Sequence, residues 1–209
     1  MAKLNPIALT LTILCLLVST HDVHAARHGP PSAAVEDDIC GGKEKVVKLH
    51  FYVQDLRIGH VNATVFEVAK ASITPTNPFA FGSVHVLDDL LTEGPAYNSR
   101  ALGRTQGLTT NADLSAFGIA MNLNFYFYAG RFNGSQLSIL GRNQVTDAAR
   151  ELPVVGGTGA FRYARGYAIQ TTYSMDPVSS YAVLEYTIYT TYNSKFNSEI
   201  DDEIETAEM

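Results

Sequence analysis

The stretch that decides the fold is Met121-Asn122-Leu123-Asn124-Phe125-Tyr126-Phe127-Tyr128. Its apolar side chains occupy every second position, which is the period of a half-buried β-strand and not of a helix. The same period runs through Lys48-Leu49-His50-Phe51-Tyr52-Val53-Gln54, and the β-branched and aromatic residues of both stretches favour strands. Further strands are predicted around Leu137 and Ile139, from Phe161 to Tyr173 and from Tyr181 to Tyr192. We therefore predict an antiparallel all-β domain of about eight strands, either a closed barrel or a sandwich.

Proline and glycine separate these strands, as residues of turns do. The predicted turns contain Pro75, Pro78, Pro95, Asp176-Pro177 and the cluster Gly156-Gly157-Thr158-Gly159. If the sheet closes, a barrel of about eight strands is wide enough to hold one small ligand. Because the chain has 11 Tyr, 10 Phe and no Trp, we expect an aromatic, partly polar lining.

The N-terminus has the pattern of a secretory signal peptide over residues 1–25. Lys3 supplies a positive start, Ile7 to Val18 is an apolar run, and Val23-His24-Ala25 offers a small-residue cleavage site. The run is shorter than the roughly 20 residues that span a membrane. We therefore expect a secreted protein without a membrane anchor, in which residues 26–44 are a flexible leader, 45–193 the β-domain and 194–209 a disordered acidic tail.

Charge and motif content exclude several classes of function. The 209 residues carry a net charge of −6, and six acidic residues lie between Glu199 and Met209, whereas nucleic-acid binding needs a basic face. The histidines of the mature chain show no metal-ligand spacing, and Cys40 has no second cysteine in the mature chain. The glycine cluster lacks the Lys-Ser/Thr of a phosphate-binding loop. We expect no metal, no cofactor and no nucleic-acid partner.

Two sequons, Asn62-Ala63-Thr64 and Asn133-Gly134-Ser135, are usable on the secretory route. Both fall within predicted turns. We therefore predict glycosylation at Asn62 and Asn133.

Two charged residues share strand faces with apolar ones. Asp55 continues the face of Leu49 and Val53, and Arg150 has the parity of Leu152. Each residue lies either in water at a strand end or inside the barrel. If both point inward, they can meet and offset each other's cost of desolvation. Burial would raise the pKa of Asp55 and a guanidinium would lower it, and the sequence leaves open which prevails.

Several ordered motifs resemble the plant dirigent proteins from about Lys48 to Tyr192. They are Phe51-Tyr52-Val53-Gln54-Asp55, Phe81-Gly82 with Asp88-Asp89, Gly103-Arg104-Thr105-Gln106-Gly107, Asn133-Gly134-Ser135 through Gly141-Arg142-Asn143, and Arg150-Glu151-Leu152-Pro153-Val154-Val155-Gly156-Gly157-Thr158-Gly159. The resemblance implies an eight-stranded antiparallel β-barrel of the dirigent and allene-oxide-cyclase-like type. It also implies a homo-oligomer, usually a trimer, in the plant extracellular space.

In such proteins an external oxidase of the laccase or peroxidase type generates phenoxy radicals from monolignols such as coniferyl alcohol. The barrel, without a redox centre of its own, directs their coupling to one stereoisomer of a lignan. Positioning alone can select among otherwise unbiased couplings. The resemblance therefore predicts small phenols or their radicals as ligands, and it favours stereoselective coupling as the first of the candidate functions.

The resemblance places the family's strand-end aspartate at Asp55 and its pocket arginine at Arg150. Asn143 stands where lignan-forming members carry a second acid, and Gln54 stands where they carry His, a pattern closer to pterocarpan-synthase-like members. There an acid promotes loss of water, and the resulting quinone methide cyclises. We predict Asp55 as that acid, with Arg150 and Asn143 orienting the phenol. Predicted substrate-binding residues are Phe51, Val53, Asp88 and Arg104.

Three functions therefore stay open. The first is a non-redox scaffold for radical coupling, and the second is a dehydratase or cyclase that acts on a phenolic alcohol. The third is a defence barrel that binds a hydrophobic ligand without transforming it.

Overall fold

The computed structural model describes residues 44–57 and 62–193. The predictions for the signal peptide, Cys40, nearly all of the leader and the acidic tail lie outside these residues. The described residues form nine strands, β1 to β9. In chain order they are Glu44–Leu56, Val65–Ala69, Val84–Thr92, Ala101–Asn111, Gly118–Phe127, Gln136–Gln144, Ala149–Thr158, Gly166–Asp176 and Tyr181–Asn193. Short 3-10 turns cover Thr74–Thr76, Gly130–Phe132 and Gly159–Phe161, and no helix in the described residues could cross a membrane.

Eight of the strands close into an antiparallel barrel, which confirms the predicted fold class. The hydrogen-bonded order runs β1-β9-β8-β7-β6-β5-β4-β3, and β1 then pairs with β3. This closing contact is short and joins Tyr52–Gln54 to Leu90–Thr92. The strand β2 lies outside the ring and pairs with the first half of β3, where β1 does not reach.

The alternation along β5 and β7 is confirmed by burial: Met121, Leu123, Phe125 and Phe127 face inward, and so do Arg150, Leu152 and Val154. Two local predictions were wrong. Residues 161–165 are not a strand, because the chain turns after Gly159 and inserts the Phe161 ring into the core. The cluster Gly156–Thr158 belongs to β7 and not to a turn, since Gly157 pairs with Leu137.

Aromatic rings fill one end of the barrel. The turns after β5 and β7 place Phe132 and Phe161 there, with their ring centroids 4.7 Å apart. Phe127 lies 5.9 Å from Phe161, and Phe51 lies 5.0 Å from Phe125. Burying rings of this size contributes most of the apolar stabilisation of a small core. The packed rings fill this end of the barrel interior.

The motif Gly103-Arg104-Thr105-Gln106-Gly107 brings β4 close to β5. A Cβ atom would lie 2.1 Å from the Tyr126 carbonyl oxygen at Gly103, and 2.0 Å from the Asn122 carbonyl oxygen at Gly107. Only glycine allows this approach. Between the glycines the side chain of Thr105 points inward, whereas Arg104 and Gln106 point outward.

Candidate functional site

A cavity of about 80 Å³ lies at the end of the barrel opposite the aromatic core. Its walls come from the end of β1, the middle of β3 and β4, and the residues beside the β4–β5, β6–β7 and β8–β9 turns. The residues that line it are Val53, Asp55, Arg57, Val65, Leu87, Asp89, Thr105, Thr109, Ile119, Met121, Leu123, Asn143, Val145, Arg150, Gln170, Thr172, Met175, Ala182, Leu184 and Tyr186. The predicted Asp55, Arg150, Asn143 and Val53 are therefore brought together around one space.

The predicted aromatic lining was wrong. Tyr186 is the only aromatic residue among the described ones that lines the cavity. The phenylalanines instead pack against one another below it, because the turns after β5 and β7 carry Phe132 and Phe161 into that end. Phe51, predicted to bind substrate, belongs to this packed layer and stacks on the Tyr186 ring at 5.9 Å. The cavity walls are aliphatic with a set of polar groups.

Asp55 is buried, but its partner is Arg57 and not Arg150. The Arg57 Nε atom donates to Asp55 Oδ1 at 3.2 Å, and Nη2 donates to Oδ2 at 2.9 Å. The guanidinium of Arg57 lies half in solvent and reaches Asp55 because residues i and i+2 of a strand share a face. Asp55 therefore does not pair with Arg150, an arrangement that the sequence had left open, although both residues line the cavity. Asp55 is better described as one half of an ion pair at the cavity wall.

Asp89 is a second buried carboxyl group at the cavity, and its pKa is strongly raised. It is 3% exposed, it lines the cavity, and it accepts a hydrogen bond from the Thr64 hydroxyl. Burial, and next the negative charge of Asp55, raise the pKa of Asp89 to about 8 against the pull of Arg57. A carboxyl group with this pKa is protonated at neutral pH and can donate a proton. Such shifts are typical of functional sites.

The opposite wall carries Arg150 and Asn143. Arg150 donates from Nη1 to the Asp147 carbonyl oxygen and from Nη2 to Thr172 Oγ1, both at 3.0 Å. Asn143 donates from Nδ2 to Gln170 Oε1 at 2.6 Å. Burial lowers the pKa of Arg150, but a guanidinium stays charged in proteins. Both side chains are thus held in place by hydrogen bonds to neighbouring residues of the barrel wall.

Three buried atoms of the cavity walls have no hydrogen-bond partner within the described residues. They are Arg150 Nε, Asn143 Oδ1 and Thr105 Oγ1. Buried polar atoms are nearly always paired, so such a group calls for an explanation. The residues that carry these atoms line one cavity, and together they supply a donor, an acceptor and a hydroxyl group, the groups with which a phenol forms hydrogen bonds.

Tyr186 connects the two walls electrostatically. Burial raises the pKa of its phenol, the positive charge of Arg150 lowers it, and the carboxyl groups of Asp55 and Asp89 raise it. All three groups therefore act on one buried point beside the cavity. A ligand there would lie between the positive charge of Arg150 and the protonated carboxyl group of Asp89.

Two predicted substrate-binding residues lie outside the barrel. The Arg104 Nε atom donates to Asp88 Oδ1 at 2.8 Å on the outer face, beside Gln106. The physical reason is strand parity: Asp89 and Thr105 face inward, so Asp88 and Arg104 face outward. Predicting Asp88 and Arg104 as ligand-binding residues was therefore wrong.

Sequence reasoning missed Asp89, Arg57, Thr105, Gln170 and Tyr186. The signal for Asp89 was available, because Leu87, Asp89 and Leu91 share the buried face of β3. The signal for Arg57 was its place two residues after Asp55.

The two sequon asparagines, Asn62 and Asn133, are exposed, and glycosylation there stays a prediction. No group of three or more potential metal ligands occurs within residues 44–57 and 62–193.

Comparison with known proteins agrees with this architecture. Residues 46–191 match the family described as Dirigent-like protein. The chain is 43% identical to dirigent protein 11 of Arabidopsis thaliana over 146 residues, which is 70% of this chain and 74% of the relative. It is 39% identical to pterocarpan synthase 1 of Glycyrrhiza echinata over 190 residues, which is 90% of this chain and 98% of the relative.

A solved structure is similar as well. The pterocarpan synthase dirigent protein GePTS1 superposes with a TM-score of 0.67 at 40% identity, covering 72% of this chain and 86% of that one.

Proposed function

Because the chain belongs to the dirigent family, we propose that it binds a phenolic alcohol in the cavity and directs its stereoselective dehydration and ring closure. The observation that carries the proposal is the buried carboxyl group of Asp89, whose pKa of about 8 keeps it protonated at neutral pH. Radical coupling needs no proton donor, whereas departure of a hydroxyl group as water does. Relatives named pterocarpan synthases support the same direction.

In the proposed first step, Asp89 gives its proton to the leaving hydroxyl group, the carbon–oxygen bond breaks and water departs. The phenolic proton passes to solvent water, so the intermediate is a neutral quinone methide. Its carbonyl oxygen accepts a hydrogen bond from Arg150 Nε, which has no other partner in the described residues. This donor is in place before the reaction, and preorganised donors of this kind lower barriers substantially.

In the second step, a hydroxyl group of the ligand attacks the electrophilic carbon and forms the new carbon–oxygen bond. Its proton goes to the Asp89 carboxylate, and the phenolate oxygen takes a proton from water. The sum of both steps is the loss of one water molecule. Asp55 acts through Asp89, because its negative charge raises the pKa of that acid.

Stereoselection would follow from the fixed positions of the two walls. Asn143 and Arg150 hold the phenol, so only one face of the planar quinone methide meets the attacking hydroxyl group. Holding reactants in one geometry is worth several orders of magnitude in effective concentration.

A second candidate is the coupling of phenoxy radicals that a separate oxidase supplies. The unpartnered Arg150 Nε and Asn143 Oδ1 favour it as well, because they can orient a radical oxygen without transferring a proton. Two incubations separate the candidates. One offers an isoflavan-4-ol with free 7- and 2′-hydroxyl groups and no oxidase, and the other offers coniferyl alcohol with a laccase.

Chiral chromatography measures the products against reactions without protein. Enantioenriched cyclised product without oxidase supports dehydration, and enantioenriched lignan with laccase supports coupling. Binding of either phenol without any change in product would leave only a ligand-binding barrel and contradict the proposal.

We also propose that the barrel associates with further copies of itself through its outer face. Phe66, Val86, Leu108 and Leu140 lie in one cross-strand row from β2 to β6, with only Asn122 among them. Each is 40–54% exposed. An exposed row with four apolar side chains in five positions favours an interface with another copy.

A further inference from the structure

A polar cluster lies next to the cavity on β2 and β3. Its members share strand faces with Val65 and Leu87, which line the cavity. Along β3 the side chains of Asp89 and Leu87 line the cavity, and His85 is the next residue on that face, about 7 Å further along the strand. On β2, Val65 pairs with Leu87, and Glu67 pairs with His85. His85 and Glu67 therefore lie one step beyond Leu87 and Val65, towards the end of the barrel at which β3 begins, and this end is called the mouth of the cavity here.

Ser83 joins these two residues. Its hydroxyl donates to Glu67 Oε1 at 2.7 Å, and its Oγ atom lies 3.4 Å from His85 Nε2. Ser83 itself is buried, whereas His85 is half-buried. The three residues, called the rim cluster here, thus present a hydroxyl-anchored carboxylate and an imidazole at the mouth.

Charged residues of the cavity wall affect the pKa of the His85 imidazole. Burial first, and then the positive charge of Arg57, lower its pKa, while Glu67 and Asp55 raise it. A neutral imidazole offers one N–H donor and one acceptor nitrogen. Because Nε2 faces Ser83, Nδ1 is the ring nitrogen that can engage a hydroxyl group of a ligand.

The size of the cavity gives a reason for a ligand to reach this far. Its volume is about 80 Å³, whereas a cavity of about 150 Å³ holds a single benzene ring. Even one ring exceeds this volume, so a two-ring phenolic alcohol can place only part of its first ring in the cavity, and its second ring must lie at or beyond the mouth. The wall of Val65 and Leu87 would then lead the projecting ring to the rim cluster.

We propose that the rim cluster is a second polar subsite that binds a hydroxyl group on the projecting ring of the ligand. This inference rests on the proposed function, since it assumes a phenol held at Arg150. It assigns the ligand class as a two-ring phenol with polar groups at both ends. His85 is a specificity-determining residue here, and it takes no part in the bond changes.

The test uses two isoflavan-4-ols with 7- and 2′-hydroxyl groups, one with a 4′-hydroxyl group and one with hydrogen at that position. The H85L variant of the full chain is compared with H85Q, which keeps a donor and an acceptor. The matched control is H50L, because His50 lies on the outer face of β1 beside Glu185. The kcat and KM are measured separately for each compound.

We expect H85L to raise KM about 3- to 10-fold for the 4′-hydroxyl compound, as the loss of one hydrogen bond predicts, and to leave kcat unchanged. The compound with hydrogen at 4′ should keep its KM, H85Q should restore most of the difference, and H50L should change neither compound. An equal change for both compounds, or none for either, overturns the rim subsite and leaves the proposed function intact. If the unmodified protein converts neither compound, the proposed function fails and the inference fails with it.

Discussion

Replacing Asp89 with asparagine is the most informative perturbation of the site. The substitution keeps the size and shape of the side chain and its place at the cavity, but it removes the transferable proton. The neighbouring Asp88 provides a matched control, because it points out of the barrel and bonds Arg104. D89N and D88N thus differ by one position in the chain and by the face of the sheet.

The magnitude follows from the role of a general acid. A positioned acid contributes about 10²- to 10⁴-fold to the rate, and we expect D89N to lose that factor in kcat. The pH dependence of activity in the unmodified protein gives a second test of the same role. Since the pKa of Asp89 is about 8, activity should be level from pH 5 to 7, fall to about half near pH 8 and decline about tenfold per unit above it.

The assay is oxidase-free conversion of the isoflavan-4-ol, followed by chiral chromatography between pH 5 and 9. Circular dichroism and a thermal melt verify that each variant is folded. D88N should keep both the rate and the profile. A folded D89N protein with the rate and stereoselectivity of the unmodified protein would refute the role of Asp89 as the acid.

Four further outcomes are expected. D55N should move the alkaline limb of the profile to lower pH, because the charge that raises the Asp89 pKa is removed, and an unmoved limb in kinetic titration would contradict this. R150Q should lower kcat/KM about 10- to 100-fold through loss of a charged hydrogen bond to the phenol and to the quinone methide, and an unchanged kcat/KM would remove Arg150 from the site. The folded state binds the Asp89 proton more tightly than the unfolded state does, so this carboxyl makes the free energy of unfolding fall as pH rises from about 4 to about 8. In urea titrations, the free energy of unfolding of D89N should therefore depend less on pH over this range than that of the unmodified protein. L108D should shift the oligomer towards monomer in light scattering, whereas L114D, in an exposed loop away from the apolar row, should not.

Strand parity explains which site residues could be predicted. Asp55 and Arg150 share faces with apolar neighbours, so an inward direction was one of the two that the sequence left open, and the structure places both at the cavity. In β3 the parity was obscured, because Leu90 and Leu91 are both apolar although only Leu91 has the parity of Asp89. For that reason the outward Asp88 was selected and the inward Asp89 was not.

Partners across the barrel could not be derived from parity. Parity assigns a face to each residue but no distance between faces, so the sequence could not tell whether Asp55 meets Arg150, and in the structure its partner is Arg57. The position of the cavity was unpredictable for a similar reason. It depends on Phe132 and Phe161, which enter the core from turns and not from strands.

The protonation state of Asp89 can be measured directly by carbon-13 NMR of aspartate-labelled protein, with D89N used to assign the carboxyl signal. The signal should titrate with a midpoint near pH 8, far above the ordinary value of 3.8, and the midpoint should fall in D55N. A midpoint near pH 4 would mean that the carboxyl is ionised at neutral pH and has no proton to give, which would contradict acid-promoted dehydration in this cavity.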